Sequence, residues 1–303
     1  MMEKPVFQTF RTDGDPAVQK AELISSLKQD SRVRQLFADQ AIPAEQLETS
    51  AYLFEDWRTR TAPCEGCTGL AQCRMVHQGM RQGLRYDGIL KEVIEACPYR
   101  SSQDQLEAHC SKYLVSDLSE DMKTVSFENI KLDQETGDYM KSMSAAIQAC
   151  ISNRGVYLYG NMGTGKSYLA ACASNYHARN NESCAFVHCP SFCARVSATM
   201  RSGEYRTEAE RMSFVKFLVI DDIGAEEVTD RSRALLLSIL DSRMQNHLCT
   251  WFTSNEDYDS LKNHFITTGR GEDSLQADRV MERIKALSIQ IHLIGRDRRD
   301  IGR

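Results

Sequence analysis

The sequence predicts an α/β protein: a parallel sheet interleaved with helices in the C-terminal part of the chain, preceded by a small, mainly helical region. Two observations carry the prediction. From about residue 126, short β-rich runs alternate with segments of helical period, the pattern of strand–helix–strand crossovers. The first of these runs also leads into a glycine-rich turn that opens a helix. Upstream of residue 60, by contrast, the apolar residues recur only at helical spacing.

Pro16 suits the first turn of a helix whose apolar face is Leu23, Ile24 and Leu27. Asp30 or Ser31 can cap a second helix carrying Val33, Leu36 and Phe37. Pro43 can open a third, with Leu47, Ala51 and Phe54 at i, i+4 and i+7. Such a bundle offers a docking surface and nothing catalytic. Residues 61–100 concentrate cysteines and glycines, and 101–125 is polar with weak periodicity, as in a linker or connecting helix. Beyond it, β-rich runs at 155–159, 184–189, 214–220, 249–253 and 289–294 alternate with helical patterns at 166–179, 191–200, 231–245 and 276–287. The expected organisation is a helical, cysteine-bearing domain over 1–105, a linker over 106–130 and the α/β domain over 131–303.

Composition narrows the function classes. Across 303 residues, 37 Lys and Arg face 42 Asp and Glu, a net charge of −5, so any nucleic-acid surface has to be a local patch. Hydrophobic content of 42% is that of a globular chain and excludes disorder. The N-terminus has no apolar signal region, and the most apolar run, 217–220, is far shorter than the roughly 20 residues of a spanning helix. A soluble cytoplasmic protein without a membrane partner is expected.

Gly160-Asn161-Met162-Gly163-Thr164-Gly165-Lys166-Ser167 matches G-x-x-x-x-G-K-[ST]. The glycines let successive N–H groups turn inward on phosphate oxygens, and the following helix adds the positive end of its dipole. Lys166 can reach the β- and γ-phosphates of ATP, and the Ser167 hydroxyl can ligate Mg²⁺. The run 217–220 ends in Asp221 and Asp222, which places two acids at a strand's C-terminal edge, where open α/β sheets bind ligands. Asp221 suits the Mg²⁺ shell, and Asp222 suits the orientation or activation of water. Asn255 follows another β-rich run and could position that water; Arg279 and Arg283 lie at i, i+4 on a helix, and the chain closes with Gly295-Arg296-Asp297-Arg298-Arg299. Arginines far from the phosphate loop suit γ-phosphate sensing, within the subunit or across to a neighbour.

Four of the 11 cysteines fall close together: Cys64, Cys67, Cys73 and Cys97. Cys64-x-x-Cys67 is a knuckle of metal-binding spacing, and four thiolates would close a structural Zn²⁺ site, with His77 the rival fourth ligand. A redox pair and unrelated free thiols are the alternatives. The other seven cysteines lie in apolar segments and read as buried free thiols.

Taken together, GNMGTGKS, LVIDDIGAE, FTSN, RVMERI and GRDRR resemble the AAA+ ATPases of the DnaI/DnaC helicase-loader family. The resemblance implies a phosphate-loop NTPase fold over about 126–303, Asp221 and Asp222 as the acid pair, Asn255 as sensor 1, Arg283 as the arginine finger with Arg279 its competitor, and Arg299, ahead of Arg298, as sensor 2. It also implies an N-terminal zinc domain that contacts the helicase; a histidine ligand used in that family would fall near Arg81, so the all-cysteine set is preferred. The implied function is ATP-dependent loading of the hexameric replicative helicase in the primosome, with self-assembly and single-stranded DNA binding through the AAA+ domain, and with slow, switch-like hydrolysis. A transposase-helper ATPase of the IstB type is the runner-up. A small-molecule kinase and an adaptor with a merely structural nucleotide site stand further off.

Overall fold

The computed structural model describes residues 15–131, 135–199, 201–268 and 271–298, and the chain divides into two compact units, Met1–Gln105 and Leu106–Arg303.

In the first unit, the Asp15 carboxylate accepts from the Ala17 N–H at 3.0 Å and starts α1 (Pro16–Gln29). Asp30 ends α1 and caps α2 (Ser31–Gln40), its Oδ1 accepting from Arg32 and Val33 N–H. The third expected helix is broken at Ser50 into α3 (Glu45–Thr49) and α4 (Ala51–Thr61). Then comes a hairpin with no counterpart in the sequence reading: β1 (Met80–Tyr86) pairs antiparallel with β2 (Leu90–Ala96), and α5 (Pro98–Glu107) follows. The Gln40 side chain stitches α2 to β1, donating to Leu84 O at 2.7 Å and accepting from Tyr86 N at 2.8 Å. Leu84 thereby joins Leu27, Val33, Ala51, Phe54 and Trp57 in a small core. Few hairpin side chains are buried, so little period-2 alternation was there to read.

The second unit begins inside the stretch expected to be a linker. Residues 113–116 instead form an edge strand, β3 (Tyr113–Ser116), paired with the sheet. There follow α6 (Gly137–Ile151), β4 (Val156–Tyr159), α7 (Lys166–Arg179), β5 (Cys184–His188), α8 (Cys189–Ala198) and α9 (Tyr205–Phe214). After them come β6 (Phe217–Asp221), α10 (Asp230–Gln245), β7 (Cys249–Ser254), α11 (Tyr258–Ile266), the short pair β8 (Thr267–Thr268) and β9 (Gly271–Glu272), α12 (Ser274–Leu287) and β10 (Ile289–His292). Phe214, expected at the start of the β-rich run 214–220, instead ends a helix and is exposed.

The main sheet runs β10-β4-β7-β6-β5-β3, all neighbours parallel. Both faces of the central strands β4, β5, β6 and β7 are covered, which explains why these read as continuous apolar runs. Val156, Leu158, Phe217, Val219 and Trp251 pack with α6 and α7, whereas Tyr157, Leu218, Ile220 and Phe252 pack with α8 to α12. A fully buried guanidinium, Arg243, ties α10 to this layer by donating to Met212 O, Val215 O, Cys249 O and Thr250 Oγ1. Among the described residues no helix is long and apolar enough to cross a membrane.

Candidate nucleotide-binding site

Because β7 lies between β4 and β6, the turn after β4, the end of β6 and the residues after β7 meet at one sheet edge. The turn is the phosphate loop. Gly163 has φ +77°, and a Cβ there would collide with the Asp297 carboxylate, so glycine is required twice over. The Thr164 hydroxyl donates to Asn161 O at 2.9 Å, within the loop. Lys166 begins α7 and is only 7% exposed. Its Nζ donates to Gly160 O at 2.9 Å, Asn161 O at 2.8 Å and Asn255 Oδ1 at 2.9 Å.

The acids complete the array. Asp221 is buried; burial pushes its carboxyl above the ordinary range, while hydrogen bonds from the Thr253 and Ser167 hydroxyls pull the other way and the neighbouring Asp222 charge adds to the rise. Thr253 Oγ1 donates to Asp221 Oδ1 at 2.6 Å and accepts from the Asp222 N–H at 2.9 Å. Asp222 adopts φ +59°, a left-handed conformation that turns its carboxylate toward the site. Asn255 Nδ2 donates to Asp222 Oδ1 at 3.3 Å, so Asn255 joins the loop lysine to the second acid. Two groups missing from the sequence reading join them. His188, at the end of β5, puts Nε2 3.9 Å from Asp222 Oδ2, and Glu135 lines the same cavity. Neither belongs to a motif; adjacency in the sheet and the course of the chain bring them there.

The cavity these groups surround is about 1050 Å³ and has Met162, Gly163, Gly165, Lys166, Ser167 and both acids in its wall. Its apolar and polar lining and its size suit a nucleotide. Arg296 and Arg298 also line it. Arg299, the expected sensor 2, lies outside the described residues. Arg279 and Arg283 are not in the cavity wall. Arg283 is held by Asp241 at 2.5 Å and Glu282 at 2.8 Å, while Arg279, one turn earlier on α12, is exposed.

The cysteine cluster behaves differently. Cys64, Cys67, Cys73 and Cys97 are half-buried free thiols, and His77 is exposed. Among the described residues no group of three or more His, Cys, Asp or Glu is gathered to hold a metal ion, so the zinc site expected from spacing is not assembled there. The donors are nonetheless neighbours. Burial first, then the Cys73, Cys67 and Cys97 charges, push the Cys64 thiol up, with Arg81 opposing. Backbone N–H groups of Gly79 and Met75 hold the Cys73 thiol below its ordinary value, the Gly79 contact being 3.3 Å. The chemistry of the donor set fits a soft metal.

Residues 74–292 match the family model described as IstB-like ATP binding protein. The chain is 28% identical to the replicative helicase loader DnaI of Bacillus subtilis over 86% of each chain. Among solved structures, it is similar to that titled "Crystal Structure of the DnaI" (27% identity, TM-score 0.53, 63% of this chain and 98% of that one). It is also similar to a putative primosome component from Streptococcus pyogenes (28% identity, TM-score 0.51, 63% and 97%). The similarity to the DnaI loader therefore extends along most of the chain and far beyond the five short motifs.

Proposed function

We propose, for a chain that belongs to the IstB-like ATP-binding protein family, the role of an ATP-dependent loader of the replicative DNA helicase. One observation carries the choice within that family: the similarity to the Bacillus subtilis loader covers 86% of both chains, more than the 74–292 that the family model spans. The transposase-helper reading draws on the family's own description and on similarities to putative insertion sequence ATP-binding proteins that span only 28% of this chain.

Binding of ATP would exchange the Gly160 and Asn161 carbonyls at Lys166 Nζ for phosphate oxygens, and the loop N–H groups would hold the β-phosphate. Ser167 and Asp221, already hydrogen-bonded to each other, would hold Mg²⁺. When bound, that ion would supply positive charge against the β- and γ-phosphate oxygens. Asp222 orients and accepts a proton from the attacking water, and Asn255, touching both Lys166 and Asp222, fixes where that water sits. Hydrolysis to ADP and phosphate with so few groups in place suits a slow switch, completed by an arginine from a neighbouring copy. We assign that finger to the α12 pair, Arg283 or Arg279; Arg283 has first to leave Asp241, whereas Arg279 is exposed.

The first unit is the proposed helicase-binding part, and the second the proposed contact for single-stranded DNA, for other copies and for other primosome proteins, in the cytoplasm. A structural Zn²⁺ on Cys64, Cys67, Cys73 and Cys97, with His77 as the alternative fourth ligand, belongs to the same proposal. Its support is the C-x-x-C spacing and the backbone N–H groups already directed at Cys73.

The test is native mass spectrometry of the full chain with the host's replicative helicase, with and without MgATP. A discrete complex whose lifetime responds to ATP is the expected result. ATP hydrolysis without any such complex would overturn the loader reading and favour the transposase helper.

A further inference from the structure

After β10 the chain turns back across the phosphate loop. Leu293 N–H still donates to Tyr159 O at 2.7 Å, in continuation of the sheet, and five residues later Arg298 N–H donates to Gly163 O at 2.9 Å. Asp297 packs its carboxylate over Gly163, and Gly295 packs against Tyr139, where a Cβ would come within 2.8 Å of the ring. Residues 295–298 are therefore fastened to the phosphate-binding turn itself. They carry two guanidiniums into the cavity wall, Arg296 and Arg298.

Both converge on one acid. Glu135 Oε1 lies 2.9 Å from Arg298 Nη2 and 3.5 Å from Arg296 Nε, and the Glu135 side chain is only 2% exposed. A carboxylate so far out of water is stable only with charged partners, so it constrains the arginines as strongly as they constrain it. Tyr139, on α6, presents its ring face to the Arg298 guanidinium at 4.4 Å. The Arg298 stem passes Gly165, with Cδ and Nε 3.6 and 3.8 Å from where a Cβ would stand. Arg298 Nη2 meets the Glu135 carboxylate as an ion pair, whereas Arg298 Nε is buried and has no hydrogen-bond acceptor. A buried donor fixed beside the phosphate loop without an acceptor is matched to one that arrives with the ligand.

We propose that Glu135 is a positioning residue for nucleotide binding: it aims Arg298, with Arg296 beside it, at a phosphate oxygen of the bound nucleotide. This rests on the reading of the cavity as an ATP site. Glu135 itself touches no phosphate, since like charges repel; its effect passes through the guanidiniums. Removal of its charge should therefore weaken binding of ATP and ADP alike and leave the rate at saturation nearly unchanged, because the water-directing groups Asp222 and Asn255 lie elsewhere in the site.

The experiment is a double-mutant cycle on the full chain, with a fluorescent ATP analogue for affinity and phosphate release for kcat and KM. Glu135→Gln should raise Kd and KM about tenfold and change kcat less than about twofold. In an Arg296→Gln/Arg298→Gln background the same substitution should have no further effect, because its targets are gone. Unchanged affinity in Glu135→Gln, or an equal loss in both backgrounds, overturns the proposal; the latter would mark Glu135 as merely structural. Glu135→Asp, which keeps the charge, should recover part of the affinity, and a thermal melt of each variant separates lost binding from lost folding. Lys166→Ala in parallel tests the ATP-site reading itself. If the wild-type chain binds no nucleotide, that reading fails; if it binds and the cycle shows no coupling, only the role of Glu135 fails.

Discussion

The phosphate loop and the cysteine cluster are both short, recognisable patterns, yet the structure treats them in opposite ways. Around the phosphate loop every group is fixed by the sheet: Lys166, Asn255 and Asp222 form a continuous hydrogen-bonded row, with Thr253 locking both acids from β7. The four cysteines instead sit half-exposed, Cys64, Cys67 and Cys73 on or beside short turns and Cys97 just after the hairpin, and no group of metal-holding geometry is found among the described residues. The difference lies in what supplies the rigidity. A doubly covered parallel sheet positions its edge residues before any ligand arrives, whereas a small unit with a limited core depends on cross-links for the same precision.

The largest expected effect lies at the phosphate loop. Lys166→Ala should weaken ATP binding by at least about 100-fold with little change in melting temperature, because the sheet and not the lysine holds the loop; titration with a fluorescent analogue reads it. Next, Asp222→Asn should leave that affinity within a few-fold and lower turnover by about 100-fold or more. Lost affinity in this variant would mean that the preformed row is needed for binding as well as for chemistry.

On the other side of the comparison, metal analysis of the purified chain should return about one zinc per protein, and Cys64→Ser should lose it. Chelation should lower the melting transition of the first unit and leave ATP affinity untouched. A chain that holds no zinc and melts identically with chelator would show that the small core suffices, and would remove zinc from the account.

Smaller still is the balance between Arg279 and Arg283. Loss of the finger should impair only assembly-dependent hydrolysis, so the variant with normal ATP binding and concentration-independent turnover identifies it. The smallest effect expected is a gain. Burial raises the Asp221 carboxyl, so the native state holds that proton more tightly than the unfolded chain does. The ionised acid therefore costs stability increasingly as pH rises from its ordinary value, 3.8, through its raised folded one. Asp221→Asn should accordingly stabilise the nucleotide-free protein at neutral pH by about 1 kcal/mol while removing Mg²⁺-dependent activity. A melting temperature that fell instead would show that the Thr253 and Ser167 hydrogen bonds outweigh the cost of burial.

Legibility divided along similar lines. Five β-rich runs correspond to β4, β5, β6, β7 and β10: the first four are buried on both faces and so are continuous apolar runs, whereas β10 at the sheet edge alternates apolar and exposed residues. The hairpin β1–β2 and the edge strand β3 went unread: in both, only a few side chains are buried, so the apolar pattern that marks a strand is faint. Asn255 was legible as a polar residue following a strand. His188 and Glu135 were not, since a lone histidine and a lone glutamate carry no spacing to recognise.

What the linear order settled was local: a glycine-rich turn between strand and helix, two acids at a strand's end and a pair of thiols three residues apart. Each needs only neighbours in the chain, and backbone geometry then does the rest. Which of these pieces would meet was decided by the sheet order, which places β7 between β4 and β6 and so brings Asn255 to Lys166 across 89 residues of sequence. The same holds for the return of residues 295–298 over the phosphate loop and for their capture by Glu135. Long-range contacts of this kind arise from burial shared by many side chains, and no short window of sequence contains that sum.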